Sequence, residues 1–181
     1  MPSKSTAFRY TGLSIALHWL TLALLAGVYA CIELRSNFPK GSDARELLKH
    51  WHFMLGLTVF AVTWLRLLVR LRNPAPPILP PPPMWQMIPA RLVHLALYAL
   101  LLGAPLAGWL ILSAGGKPIP FYGLELPALI GKNPELASQI KHWHELAGVT
   151  GYWLIGLHAL AALLHHYVIR DNTLTRMLPG R

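Results

Sequence analysis

Four long apolar segments, separated by shorter polar ones, dominate the pattern of the chain. They cover residues 13–32, 51–69, 92–112 and 146–168. A helix needs about 20 mostly apolar residues to cross a bilayer, and each segment has that length. Apolar and polar residues do not alternate at every second position, as the strands of a membrane β-barrel require. The pattern therefore predicts an all-α integral membrane protein, a four-helix bundle formed as a single domain over residues 1–181.

The linker between the second and third spans is rich in proline. Residues 73–89 contain eight of the sixteen prolines of the chain. Proline disrupts helix interiors and favours the extended polyproline II conformation. We therefore expect a non-helical loop over residues 73–89. We interpret it as a plain connector rather than as a partner-docking motif.

The composition supports a membrane protein. The residues are 54% apolar and only 13% charged, and the mean hydropathy is +0.43. Most soluble domains are about one quarter charged, so this class is excluded. The single cysteine, Cys31, excludes a disulfide-rich secreted module. The net charge of +9 lies in bases between apolar segments, which favours charged membrane loops over a nucleic-acid surface.

The distribution of basic residues predicts the orientation. One side of the membrane would carry Lys4, Arg9, Arg66, Arg70, Arg72, Arg91, Arg170, Arg176 and Arg181. The other side would carry Arg35, Lys40, Arg45, Lys49, Lys117, Lys132 and Lys141. The first set is larger and lies closer to the helix ends, which places both termini in the cytoplasm. The first span is longer than a signal-peptide core and contains His18, so we expect it to be retained.

Histidines on the fourth span suggest two cofactor sites. His144 and His158 are 14 residues apart, which at 100° per residue places both on one helix face, roughly 21 Å apart. Gly148 and Gly151 lie between them and would either admit a flat macrocycle or allow close helix packing. Two ligands on one face, one near each side of the bilayer, suit two stacked cofactors.

Each of these histidines has a partner at the same depth on another span. The direction of each helix pairs His52 with His144 near the outer surface and His18 with His158 in the inner half. Zinc normally takes three or four protein ligands, whereas a haem iron takes two axial ligands. Two bis-histidine haems between the helices therefore explain the four positions, and such sites favour electron transfer over oxygen binding.

An arginine and two further histidines lie near the inner level. Arg66 is 14 residues after His52, so it shares that face and is a candidate partner for a haem propionate. Snorkelling to the nearby interface explains it equally well. His94 opens the third span, and we interpret it as a polar contact rather than a site residue. His165 shares the face of His158, about 20° away and roughly 10 Å closer to the cytoplasm.

Several motifs resemble those of the bacterial cytochrome b561 family. They are SIALHW in the first span, WHFMLG and RLLVRLRNPAPP in the second, and KHWHE, GLHALAALLHHY and DNTL around the fourth. The resemblance implies that His18, His52, His144 and His158 are the axial ligands of two b-type haems. The chain is most similar to the short stand-alone superoxide oxidases of that family. This implies electron flow from superoxide at the outer face to ubiquinone, in the bacterial inner membrane.

Two functions remain open from the sequence. One is a self-contained superoxide:ubiquinone oxidoreductase, and the other is a non-catalytic cytochrome b subunit of a larger dehydrogenase or reductase. Short outer loops and the resemblance favour the first, and a metal or haem transporter is a third, weaker reading. No catalytic residue or protein partner is assigned. His165 is a candidate either for binding quinone or for an inner haem propionate. Five outer bases near helix ends are candidates for attracting a small anion: Arg35, Lys40, Lys49, Lys117 and Lys141.

Overall fold

The protein folds into four long helices and one short hairpin. The computed structural model describes residues 9–179, so Lys4 and Arg181, two of the bases counted for orientation, lie outside the described residues. The helices are α1 (Gly12–Leu34), α2 (Asp43–Arg72), α3 (Met84–Ala114) and α4 (Pro134–Leu164). All four are long and apolar enough to cross a membrane. This confirms the predicted helical membrane fold, although α2, α3 and α4 begin well before the predicted spans while α1 begins almost where expected.

Side chains cap the starts of α1 and α4. The Thr11 hydroxyl accepts a hydrogen bond from the backbone N–H of Ser14 at 3.3 Å and caps α1. Asn133 accepts from the backbone N–H of Leu136 at 3.1 Å, and Pro134 occupies the first position of α4. An Asn cap followed by proline is a strong start signal, because proline lacks only an N–H that would be unpaired there. α4 therefore begins well outside the apolar span.

The proline-rich loop is shorter than predicted. Helix α3 begins at Met84, so residues 84–89 are helical and the expected loop over residues 73–89 is wrong in its last part. Pro83 precedes the helix in an extended conformation, with φ −67° and ψ 159°. Pro89 lies in the second turn, where the missing N–H removes only one intrahelical hydrogen bond. Proline is tolerated near the start of a helix. The high proline content of residues 73–89 therefore did not exclude a helix in the last part of this segment.

The helices pack in sequence order, with α1 against α2, α2 against α3 and α3 against α4. Large apolar side chains on their outer faces are exposed, as lipid-facing positions are in a membrane protein; examples are Leu71, Leu95 and Trp153. Two buried threonines satisfy their hydroxyls within their own helices. Thr21 donates to the carbonyl four residues earlier at 2.7 Å, and Thr63 does the same at 2.7 Å. These two interior hydroxyls are thus paired without water.

A two-stranded antiparallel hairpin, which the sequence did not predict, follows α3. Its strands are β1 (Ile119–Phe121) and β2 (Leu124–Leu126). Tyr122 and Gly123 form the turn with φ of 49° and 85°, the positive values typical of a tight hairpin turn. Ile119 is 2% exposed and packs with Leu57 of α2 and Leu112 of α3. The hairpin therefore folds back onto the outer ends of these two helices.

The two ends of the described chain meet on one side of the bundle. The backbone N–H of Tyr10 donates to the carbonyl of Arg176 at 3.2 Å. The indole N–H of Trp19 donates to the carbonyl of Met177 at 2.8 Å. Four spans return the chain to the side on which it starts, and that this side is cytoplasmic stays a prediction.

Candidate metal-binding site

The structure brings the four predicted histidines together in two pairs. The rings of His18 on α1 and His158 on α4 have centroids 6.2 Å apart. The rings of His52 on α2 and His144 on α4 are also separated by 6.2 Å. Both pairs therefore bridge α4 to the α1–α2 half of the bundle, at two levels of the same helix.

The spacing of each pair fits one metal ion between two imidazoles. A metal–imidazole bond is about 2 Å long and the ligating nitrogen is about 1 Å from the ring centre, which predicts centroids ~6 Å apart. This separation lies within the range of edge-to-face ring pairs, and it is also the separation at which two imidazoles share one ion. Among residues 9–179, no three His, Cys, Asp or Glu side chains converge as a metal site. Two nitrogen ligands per ion match the axial ligands of a haem.

Backbone carbonyls orient both imidazoles of the outer pair. Nδ1 of His52 donates to the Val28 carbonyl on α1 at 3.0 Å. Nδ1 of His144 donates to the Ala104 carbonyl on α3, also at 3.0 Å. A carbonyl can only accept, so the proton of each neutral ring is on Nδ1 and Nε2 keeps its lone pair. This is the arrangement by which metal-bound histidines are usually held.

An apolar cleft adjoins the outer pair. His52 and His144 line it, together with Tyr29, Gly148 and Ile119 of the hairpin. A Cβ built on Gly148 meets nothing within 4 Å, so this glycine leaves open space beside the cleft, which agrees with the first of the two interpretations from the sequence.

Gly151 has a different role. A Cβ built there would lie 2.1 Å from the hydroxyl of Tyr29, so the space of this glycine is already filled. The same hydroxyl donates to the carbonyl of Gly148 at 2.9 Å. Of the two readings of Gly151, close packing is the one the structure shows. Tyr29 is a wall residue of the outer cleft that the sequence analysis missed.

Arg66 lies at the inner pair. Its guanidinium donates to Nδ1 of His18 at 3.2 Å and lies 5.9 Å from the ring centre of Tyr98. Within residues 9–179 it forms no ion pair with a carboxylate. A half-buried cation without an anion is costly in a membrane, which favours an anionic ligand at this level. The arrangement also shows that Arg66 points into the bundle toward His18.

His94 is a third imidazole at the inner level. Its ring centre is 5.2 Å from that of His158, and its Nδ1 donates to the carbonyl of Ala90 at 2.6 Å. The hydrogen bond to Ala90 is a polar contact of the kind expected from the sequence. His94 lies about three turns into α3, and the packing of α3 against α4 brings it beside His158.

His165 forms an ion-pair contact that the sequence did not indicate. Its Nδ1 lies 2.5 Å from Oδ2 of Asp171, a carboxylate with only 1% of its side chain exposed. Burial raises the pKa of Asp171, but hydrogen bonds from His165 and Thr173 outweigh burial and leave that pKa below its usual value. Asp171 is therefore a carboxylate at neutral pH. The sequence marks Asp171 in one way only. It is the sole acidic residue on the side of the membrane that carries both termini in the predicted topology.

Two of the five outer bases predicted to attract an anion have acidic partners. Lys49 contacts Glu46 at 2.5 Å, and Lys141 contacts Glu145 at 3.5 Å. The other three form no ion pair within the part of the chain that the structure describes: Arg35, Lys40 and Lys117. Of these five candidates, three therefore keep a positive charge that no acidic side chain pairs with.

Comparisons with known proteins agree with the sequence motifs. A family model described as prokaryotic cytochrome b561 matches residues 9–180. "Cytochrome b561 homolog 1" of Escherichia coli (strain K12) is 42% identical over 96% of this chain and 98% of its own length. "Probable superoxide oxidase CybB" of Yersinia pestis is 39% identical over 96% and 97%. "Cytochrome b561 homolog 2" of Escherichia coli (strain K12) is 31% identical over 98% and 95%.

Proposed function

The chain belongs to the prokaryotic cytochrome b561 family of membrane b-type cytochromes, and from that premise we propose that it is a superoxide oxidase of the bacterial inner membrane. In this proposal it transfers electrons from superoxide at the outer face to ubiquinone. Two superoxide ions and two protons convert one quinone to quinol and release two molecules of oxygen. The observation that carries the proposal is the two histidine pairs, each with ring centroids 6.2 Å apart. The Yersinia relative named a probable superoxide oxidase supports the choice of donor.

We propose that each histidine pair holds one haem b. His52 and His144 would bind through Nε2, because carbonyls already occupy Nδ1 of both rings. His18 and His158 would hold the second group. A bound haem b supplies one-electron oxidation and reduction, and two bis-histidine sites leave no open metal position for oxygen. The residues thus favour electron transfer across the bundle.

Arg66 would hold a propionate of the inner haem. In the present arrangement Arg66 donates to Nδ1 of His18, so the ring proton of a neutral His18 is on Nε2. A His18 that ligates through Nε2 must carry its proton on Nδ1, which then cannot accept from Arg66. Ligation therefore releases the guanidinium for an anion, and a propionate is a carboxylate of suitable geometry.

Superoxide would approach the outer pair through the unpaired bases Arg35, Lys40 and Lys117. A small anion gains encounter rate from a local positive field even when the total charge of the face is nearly balanced. Such steering is screened over about 8 Å at physiological ionic strength. The rate of haem reduction by superoxide should therefore fall as salt is added.

Ubiquinone would bind at the opposite side, near His165. This residue follows His158 by two helical turns, so it lies beyond the inner pair toward the predicted cytoplasmic surface. Quinone reduction needs protons as well as electrons, and an imidazole can donate one at neutral pH. Replacement of His165 by Gln should leave the haem spectrum intact and slow quinone turnover several-fold. Normal quinone kinetics with a shifted inner haem would instead assign His165 to a propionate.

Steady-state turnover of the purified protein tests the function as a whole. Superoxide is generated enzymatically, and the reduction of a short-chain ubiquinone is followed with and without the protein, with superoxide dismutase as the control. Quinone reduction that depends on the protein and is abolished by the dismutase is the expected result. Haems that superoxide reduces but quinone does not reoxidise would favour the alternative, an electron-transfer subunit that needs a partner.

A further inference from the structure

The backbone departs from regular helix immediately after His165. Residues 165–169 form a π turn, and Arg170 then adopts a left-handed conformation with φ 60° and ψ 39°. Positive φ is uncommon for a residue other than glycine and is stable only where surrounding contacts hold it. A π turn closed by a left-handed residue is one way in which a helix ends. Two backbone irregularities therefore coincide in one short segment.

These irregularities have one clear consequence, which is to place Asp171 against His165. In a continuous α-helix a residue six positions later lies about 120° around the axis and about 9 Å further along it, out of reach. Here the chain turns back, and the backbone N–H of Asp171 donates to the carbonyl of His165 at 3.1 Å. The side chains then meet at 2.5 Å between Nδ1 and Oδ2.

The carboxylate of Asp171 is fixed in this position. Its second oxygen, Oδ1, accepts the backbone N–H of Thr173 at 2.8 Å, so both oxygens are engaged. Only 1% of the side chain is exposed, against 18% for His165. Water therefore reaches the imidazole and not the carboxylate. A buried carboxylate on one nitrogen leaves the other nitrogen of His165 as the accessible group.

The charges around the pair are few. Arg176 is 6% exposed, donates to the carbonyl of Pro76 and lies 5.6 Å from the ring centre of Tyr10. Arg70 donates to the hydroxyl of the same tyrosine at 3.5 Å. Within residues 9–179, Asp171 is thus the one buried carboxylate, it faces one imidazole, and Arg176 is a cation on the same segment that interacts with it.

We propose that Asp171 is a positioning residue which holds His165 as the proton donor to the reduced quinone. This inference rests on the proposed function, because it names the residue that supports the quinone site. A carboxylate on Nδ1 keeps that proton in place, orients the ring and stabilises the imidazolium form. Nε2 is then the nitrogen that gives up a proton.

The proton and electron balance is simple. One electron arrives at the quinone, and protonated His165 transfers the proton of Nε2 to a quinone oxygen. The O–H bond forms, the Nε2–H bond breaks, and Nδ1–H stays hydrogen-bonded to Asp171. Cytoplasmic water returns a proton to Nε2 before the second electron arrives. Two passages deliver the two protons that quinol formation needs.

The test compares Asp171→Asn, His165→Gln and the double variant with the wild-type holoprotein. Superoxide-driven haem reduction is measured separately from reoxidation by a short-chain ubiquinone. We expect Asp171→Asn to lower kcat for quinone about two-fold, less than the several-fold loss in His165→Gln, because it removes the positioning group and leaves the acid. The KM for quinone and the rate of haem reduction should not change. The solvent deuterium isotope effect on reoxidation should increase, because proton transfer becomes slower.

The double variant distinguishes positioning from structural support. If Asp171 acts through His165, then Asp171→Asn has no further effect in the His165→Gln background. Arg170→Gly is the control for the segment, since glycine accepts the left-handed conformation and Arg170 is exposed. It should retain wild-type turnover.

Three results would overturn the proposal. They are an equal loss of kcat in both backgrounds, an unchanged isotope effect in Asp171→Asn, and normal quinone kinetics in that variant. Absence of quinone reduction by the wild-type protein would instead refute the proposed function. The two failures are thus distinguishable.

Discussion

Replacement of Gly151 by alanine tests the packing beside the outer histidine pair. The new Cβ would lie 2.1 Å from the hydroxyl oxygen of Tyr29 and 3.1 Å from a methyl of Leu100. The first distance is far below van der Waals contact, so the Tyr29 side chain must move. Its hydroxyl then loses the hydrogen bond to the carbonyl of Gly148, now 2.9 Å long. Because Tyr29 lines the outer cleft, the outer site should change with it.

The size of the effect follows from three contributions. The lost hydrogen bond costs about 1 kcal/mol. Overpacking of a closely packed interior typically costs 1–3 kcal/mol. Alanine is more favourable than glycine within a helix by about 1 kcal/mol, which offsets part of the loss. The free energy of unfolding should therefore fall by roughly 1 to 3 kcal/mol.

Unfolding of the detergent-solubilised holoprotein, followed by haem absorbance, measures this change. Gly156→Ala on the same helix is the matched control, because a Cβ there meets nothing within 4 Å. It should be neutral or slightly stabilising. Tyr29→Phe removes the hydroxyl, and the remaining ring carbon would lie 3.5 Å from the new Cβ, an ordinary contact. The cost of Gly151→Ala should then largely disappear.

Two outcomes would refute this reasoning. One is a Gly151→Ala protein as stable as Gly156→Ala. The other is a penalty that persists in the Tyr29→Phe background, which would assign the clash to Leu100 instead.

Three further predictions concern other contacts. Tyr122→Phe removes the hydroxyl that lies 3.0 Å from Oγ1 of Thr58. The free energy of unfolding should therefore fall by about 1 kcal/mol. An unchanged free energy would show that the hairpin does not need this contact. Arg66→Leu should lower the midpoint potential of the inner haem alone, because a nearby cation stabilises the reduced form. Arg66→Lys should largely preserve that potential. An optical redox titration in which the potentials of both haems change, or neither changes, would contradict this. The folded-state pKa of Asp171 lies below its usual 3.8, so its carboxylate stabilises the fold above that pH and the contribution disappears as the pH falls below it. Asp171→Asn should thus lower Tm at pH 7 but less at pH 3, and an equal loss at both would exclude the charge as the cause.

Regular helix geometry explains how much of the site could be predicted. Helix direction and 3.6 residues per turn set both depth and face, so His52 was matched with His144 and His18 with His158 from numbering alone. The structure places these rings 6.2 Å apart in each pair. Arg66 was placed at the inner level by the same argument.

Irregular backbone and contacts between helices explain what was missed. Asp171 reaches His165 only through a π turn and a left-handed residue, neither of which has a sequence signal here. The hairpin strands are three residues long, too short for an alternating pattern. Gly148 and Gly151 look alike in the sequence, and only the position of Tyr29 on another helix separates open space from filled space.

Haem content of four single variants tests the central claim most directly. His18, His52, His144 and His158 are each replaced by alanine, and haem per chain and the reduced-minus-oxidised spectrum are compared with the wild type. The account predicts two haems in the wild type and one in each variant. The His52 and His144 variants should show the same spectrum for the haem that remains. The His18 and His158 variants should share a different spectrum. A wild-type content of one haem, or loss of both haems from a folded single variant, would contradict it.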